Sequence, residues 1–332
     1  MTQTYISGAS SVALYAYENP TQWANAAASH TASDETYVPF GQGIDISVSR
    51  NNNAERIVGV GARNATATVN KQYAGTASIS GAVSNAWWLL GALGANSDAG
   101  TTGAYTHTYT EANSLPSFTL QSSFELGTTD STSVLLGCRI NTLSLTAAVN
   151  EALRFSIEAP YRYETLNTTA VTNIADTEPV FTFAHGSIEL PDGTEIAAVQ
   201  SIEVTINNNL ESIYGVGSRF MTGNVAKNRE YNFNITAAFN DQTALLTRFL
   251  NGTSSATAPT TGTGTEIATL ELTFTNDDGD ILDINLTGVH LNEETLPQNV
   301  NEVVKENVTG WARGCTNVIY TNDIETAPVA AS

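Results

Sequence analysis

The clearest alternation in the chain begins at Gly43. Ile44, Ile46 and Val48 fall on one side and Asp45, Ser47 and Ser49 on the other, the two-residue period of a half-buried strand. Asn51, Asn52 and Asn53 break it, because Asn tolerates turn and left-handed conformations. Residues 57–61, 65–73 and 76–80 read as further short strands. One helix follows: Ser84 or Asn85 is placed to cap AWWLLGAL, and Gly94 to end it, with Trp87, Leu90 and Leu93 toward a sheet. Beyond a Gly/Thr/Ser loop at 95–107, residues 117–126 and 133–140 predict a hairpin turning at 127–130.

The same order then recurs. DISVSRNNNAERIVGVGAR (45–63) and SIEVTINNNLESIYGVGSR (201–219) share the Asn triplet, a Glu, Gly-Val-Gly and an Arg. The spacing is a constant 156 residues, from Asn51 to Asn207, Gly59 to Gly215 and Lys71 to Lys227, and 18 of the 48 positions from Ile46 to Leu93 are identical at that register. Shared composition does not hold one register over such a span, so the chain reads as a tandem duplication. The second helix, QTALLTRFL, has Asn240 or Asp241 as cap, Gly252 as stop, and Leu245, Phe249 and either Ala244 or Leu246 inward. A loop to residue 265 follows it, and then a hairpin of 267–275 and 281–286 turning through Asn276 to Asp280. Both copies close alike: Asn150-Glu151 and a strand at 153–157 match Asn301-Glu302 and 304–308. The expected organisation is an arm at 1–40, a first domain at 41–163, a Thr/Asn-rich linker at 164–179, a second domain at 180–320 and a tail at 321–332. The arm is either a flexible extension or a segment that orders on a neighbour. The second domain is expected to open with a hairpin of 180–183 and 186–190.

Charge narrows the partners. Thirty-three acidic against 13 basic residues give a net charge of −20, which opposes non-specific nucleic-acid binding and favours folding in salt. Only Lys71, Lys227 and Lys305 are lysines, a balance similar to that of proteins from haloarchaea and their viruses. Cys138 and Cys315 are too few for a disulfide scaffold and read as buried thiols. No apolar run reaches membrane-span length, and the first residues lack a signal-peptide layout, so a soluble protein made in the cytoplasm is expected.

The repeated residues carry turn geometry rather than chemistry. His30, His107, His185 and His290 stand in no metal-ligand spacing, and no nucleophile elbow or phosphate loop is present. The string NDDGD lacks the spaced ligands and distal Glu of a calcium loop. No catalytic residue, metal or cofactor is expected. Candidate contacts between domains or subunits are instead the retained Asn51, Asn52, Asn53, Glu55, Arg63 and Lys71, with their counterparts Asn207, Asn208, Asn209, Glu211, Arg219 and Lys227. The charged members are candidates for inter-domain ion pairs, against the alternative of a solvated face.

FTFAHGSIELPDGTEIAAVQ leading into the second Asn-triplet phrase, then a strand pair and a helix, resembles the tail tube (major tail) proteins of long-tailed viruses. The opening VALYAYENPTQWANAA is similar to the arm of many of them. The resemblance implies a mainly β chain of two tandem β-sandwich or half-barrel domains, each with one flanking helix. It also implies side-by-side assembly into a ring whose inner strands form one barrel, with rings stacked into a tube that conducts DNA. The common member supplies one domain to a six-part ring, so two domains per chain imply a trimer. The implied partners are further copies of the chain, the tape measure, tail terminator and tail tip, and DNA passing unbound, with no membrane. The implied location is the virion, after assembly in the host cytoplasm. Two competing classes are a halophile's two-domain surface adhesin and the inner tube of a contractile injection device.

Overall fold

A computed structural model describes residues 11–18, 37–101, 104–124, 130–168, 174–190, 195–196, 199–239, 245–262, 266–298 and 300–324. The first half carries β1 (Ser11–Tyr17), β2 (Val38–Pro39), β3 (Gln42–Asn51), β4 (Ala54–Ile57), β5 (Ala67–Asn70), β6 (Ala74–Ala82), α1 (Leu89–Leu93), β7 (Gly94–Thr101) and β8 (Ala104–Glu111). It continues with β9 (Phe118–Phe124), β10 (Ser131–Cys138), β11 (Thr142–Ala148), β12 (Arg154–Tyr161) and β13 (Tyr163–Asn167). The second half carries β14 (Gly186–Glu189), β15 (Val199–Asn207), β16 (Glu211–Tyr214), β17 (Met221–Val225), β18 (Glu230–Ala238), α2 (Leu246–Asn251), β19 (Ile267–Thr275), β20 (Ile281–Thr295) and β21 (Lys305–Asn322).

The fold is mainly β, as the resemblance implies. One antiparallel sheet runs in the order β14-β19-β20-β21-β18-β15-β11-β12-β6-β3, and β8, carrying β7, adds to the far half of β21. A five-stranded sheet, β13-β10-β9-β1-β2, faces its first-half end. Period-2 alternation builds the layer between them: Phe155, Ile157 and Ala159 of β12 are buried while Arg154, Ser156 and Glu158 are exposed. Trp88 stacks on Phe155 with centroids 5.1 Å apart, and Tyr15 and Phe40 lie 4.3 Å apart. This apolar cluster continues through Leu143, Val204 and Ile235 into the second half.

The two Asn-triplet segments have one geometry. β3 pairs β6 with Ile46 opposite Ile79; β15 pairs β18 with Ile202 opposite Ile235, the same register 156 residues on. The hairpin β4–β5 sets Glu55 opposite Val69, and β16–β17 sets Glu211 opposite Val225. Asn53 and Asn209 take φ of 44° and 48°, the left-handed conformation that Asn tolerates best after Gly. Each receives support from the first Asn of its triplet, which accepts the amide of the third at 2.8 and 2.9 Å.

Several expectations need correction. Ser11–Tyr17 belongs to no loose arm: β1 is an inner strand of the five-stranded sheet, paired residue for residue with β9. Buried Glu18 then accepts from Ser117 Oγ, Thr119 Oγ1 and the Gly137 amide, which ties β1 to β9 and β10. The expected linker begins with strand β13, and its Asp176 accepts from Ser84 Oγ at 2.7 Å and from Asn85 Nδ2. Ser84 and Asn85 therefore hold this crossing segment rather than cap a helix. Helix α1 starts only at Leu89, because Trp88 is buried with its indole donating to the Phe40 carbonyl at 3.0 Å. Gly94 ends it at φ 108° and Gly252 ends α2 at φ 70°. The proposed cap of α2 at 240–241 lies outside the described residues, and α2 buries Thr247 and Arg248 while Phe249 is half-buried. The expected loop at 95–107 is taken up by the strand pair β7–β8; its alternating Thr and Tyr residues satisfy a sheet edge. Residues 180–190 form a 3-10 turn at Phe183–His185 followed by β14 on β19, not a hairpin. β21 runs to Asn322, past the expected start of the tail, and 325–332 lie outside the described residues.

Candidate functional site

Alternation gives the large sheet one apolar and one polar face. A row of facing residues crosses eight strands on the polar side: Asp45, Ser80, Ser156, Ser144, Thr205, Asn232, Trp311 and His290. Hydroxyls and amides of small size dominate, and the charged groups are unbalanced. Asp45, Glu158, Glu203, Glu230 and Glu293 are exposed there against Arg154, Lys305 and Arg313. Trp311 stands out, 42% exposed and stacked on His290 with centroids 4.4 Å apart. His290 also lies 3.2 Å from Glu266, which binds Arg313 at 3.0 Å.

The halves meet at a seam inside the sheet. β11 pairs β15 over seven facing residues, from Thr142 opposite Asn207 to Ala148 opposite Ser201. Leu143, Leu145, Val204 and Ile206 are buried beneath it, and above it Ser144 Oγ lies 2.9 Å from Thr205 Oγ1. The Asn triplet locks its end. Asn141 accepts the Asn208 amide through its carbonyl and the Leu210 amide through Oδ1, both at 2.8 Å. Buried Asn208 donates to the Ala92 and Ile140 carbonyls at 3.1 and 3.0 Å and accepts from Arg229 Nε at 2.7 Å.

The remaining candidates divide by role. Glu55–Lys71 (2.6 Å) and Glu211–Lys227 (2.9 Å) are ion pairs, but each closes its own hairpin rather than bridging domains. The retained spacing reflects one hairpin geometry. Arg219 crosses between halves, donating from Nε to the Lys71 carbonyl at 2.9 Å and from Nη2 to Asn52 Oδ1 at 2.8 Å. Phe220 beside it packs on Tyr73 and Tyr163. Arg63, its counterpart, has no hydrogen bond or ion pair among the described residues. Asn51 and Asn207 brace their turns, while Asn53 and Asn209 donate to the Gln72 and Asn228 carbonyls. Val60 and Val216, at the hairpin tips, are fully exposed.

Sequence reasoning missed three features. Buried His107 contacts Asp98 at 2.9 Å and Asn322 Oδ1 at 3.0 Å, joining β7, β8 and β21. Arg50 reaches from β3 to Glu164 on β13, with Nε 2.7 Å from Oε2. Burial opposes ionisation of Glu164, but hydrogen bonds from Arg50, Ser133 and Tyr73 outweigh it and hold the carboxyl below its usual range. Glu294 on β20 and Glu306 on β21 face each other beneath the sheet, each with a buried Oε1 that has no hydrogen-bond partner among the described residues. Burial and then the Glu294 charge push the Glu306 carboxyl up to about 7. The signal for Glu306 was legible: it breaks the apolar face on which Val308 also sits. Cys138 and Cys315 are both buried free thiols.

The described residues form a two-layer β-fold with a small-residue polar face and open sheet ends. A family profile for the phage tail tube protein matches residues 8–309. The chain therefore belongs to the phage tail tube family: it is a structural component of the virion that assembles with itself and with other tail proteins. No curated protein matches it.

Proposed function

We propose that three copies of this chain form a ring of six alike positions, and that stacked rings make the tube through which viral DNA leaves the particle. One observation carries this reading. Two units of the same strand plan, β20-β21-β18-β15 and β11-β12-β6-β3, lie side by side, and the sheet they share is open at β3 and at the second half of β20. Open edges of this kind favour pairing with another chain, and a head-to-tail repeat that turns about sixty degrees per unit closes on itself. On this reading the repeat arose by tandem duplication, and a single chain does the work of two ring positions. The polar face lines the bore. Its carboxylates repel phosphates, and its Ser, Thr and Asn residues offer no basic track, so DNA slides without specific binding. The acidic, lysine-poor surface supports an origin in a haloarchaeal virus and assembly in the salty cytoplasm of its host. Tape measure, tail terminator and tail tip proteins are the other partners on this reading.

Electron microscopy of the purified protein at high and low salt tests it. Rings or tubes with threefold symmetry and six similar lobes are expected, most abundant at high salt. Strictly monomeric particles throughout would overturn the self-assembling trimer.

A further inference from the structure

The seam inside the chain is a template for the seam between chains, and on the ring reading the same strands must meet again. β15 stands 156 residues after β3, and Asn301-Glu302 stands 151 after Asn150-Glu151, so β15 has its counterpart in the edge strand β3 and residues 141–147 have theirs in residues 292–298, at and just past the end of β20. Facing Ser144 and Thr205 become Thr295 and Ser49; buried Leu145 and Val204 become half-buried Leu296 and Val48. Asn141, which accepts the Asn208 and Leu210 amides, becomes Asn292. Asn292 is exposed, its side chain makes no hydrogen bond among the described residues, and it sits at the irregularity between Leu291 and Glu293. Its counterpart partners are the amides of Asn52 and Ala54.

At one place the counterparts change character. Apolar Leu143, Phe155 and Ile206 of the internal seam become Glu294, Glu306 and Arg50. Among the described residues the two glutamates have no cation, and each has a buried oxygen without a hydrogen-bond partner. Around them stand Ala237 and Val308; Arg248 on neighbouring α2 has partners of its own, Lys305 and Glu293 lie on the opposite face, and Glu302 precedes β21. Arg50 uses Nε and Nη2 on Glu164 and Ser133, and its Nη1 has no partner among the described residues.

We propose that the second half of β20 pairs with β3 of the next copy with Thr295 opposite Ser49 and Glu294 opposite Arg50, so that Arg50 neutralises the Glu294–Glu306 pair. This rests on the ring reading and adds its register and its charge. The seam within the chain is apolar and permanent; the seam between chains is ionic. Buried carboxylates that share a proton in the free chain lose it when the guanidinium arrives, so assembly releases protons and strengthens as pH rises.

The test combines crosslinking with sedimentation at high salt, where the net charge is screened. Ser49→Cys with Thr295→Cys, both on the polar face, gives a covalent three-chain species on oxidation. Ser47→Cys with Thr295→Cys does not, because a diagonal separation of about 7–8 Å exceeds disulfide reach. Self-association of the natural chain tightens at least about tenfold from pH 5 to 8, and Glu306→Gln removes most of that dependence. Arg50→Glu weakens association, and Glu294→Arg in the same chain restores it. Rings that form without the Ser49→Cys/Thr295→Cys crosslink, or that crosslink only in the shifted pair, overturn this seam and leave the ring reading standing. A flat pH profile overturns its ionic character. A natural chain that stays monomeric in every salt overturns both.

Discussion

The two halves carry one strand plan through two different corners. In the second half β20 and β21 run unbroken for 15 and 18 residues within one sheet, with only local irregularities. In the first half the same path is cut, between β10 and β11 and again at Arg162 between β12 and β13, so the two layers separate into distinct sheets. The cut frees Asn141 to receive two backbone amides from the second half. Its counterpart Asn292 has the same residue type and an open site. Two segments of one strand plan therefore need not be structurally symmetric: Asn141 is filled by the other half of the chain, and Asn292 is exposed.

The contrast can be broken or sharpened by paired substitutions. Leu145→Ala, in the internal seam, should lower stability of the unassembled chain by about 2–4 kcal/mol through loss of buried surface and a residual cavity. Leu296→Ala, at the open edge, should cost less than about 1 kcal/mol, and equal losses in urea titrations would erase the distinction between seams. Asn208→Ala should cost about 2–3 kcal/mol, because two buried carbonyls lose a donor and Arg229 Nε loses its acceptor. Asn52→Ala, exposed and bonded among the described residues to Arg219 alone, should stay within about 0.5 kcal/mol.

Glu306→Gln should stabilise the unassembled chain at pH 8 by about 1–2 kcal/mol, discounted because water reaches the open edge. The sign follows from the raised folded-state value. Between about 4.5 and about 7 the folded chain binds more protons than the unfolded one, so stability falls as pH rises through that window. Thermal melts of the variant should lose that slope and coincide with the natural chain near pH 4. Smallest are the hairpin ion pairs. Lys71→Ala and Lys227→Ala should each change stability by less than about 0.5 kcal/mol, since both partners are largely exposed. A larger effect of Lys71→Ala on assembly than on folding would assign that hairpin to the ring or stacking interface.

Much of the fold was legible because strands announce themselves by period. Ile44, Ile46 and Val48 marked β3, and the Asn triplets marked two left-handed turns that only a few residue types accept. The hairpin β7–β8 was hidden because its Gly, Ser and Thr residues resemble a loop; it is a strand pair only because β21 offers Val318 to Asn322 as an edge. β1 was hidden for the opposite reason. VALYAYE buries residues on both faces and shows no alternation until β9 and the five-stranded sheet are in place. At the seam, Asn208 and Asn52 are identical in sequence, and one is buried while the other is exposed.

By itself the sequence determined the β character, the repeat and its spacing, the turn geometry of each Asn triplet and the acidic charge, because these follow from local sterics and composition. Which strand neighbours which, and which half's contacts are already filled, was decided only by the tertiary structure. Pairing between β11 and β15 joins residues about sixty apart through main-chain hydrogen bonds, which all residue types supply equally. No side-chain pattern records that choice; the packing of the whole sheet makes it.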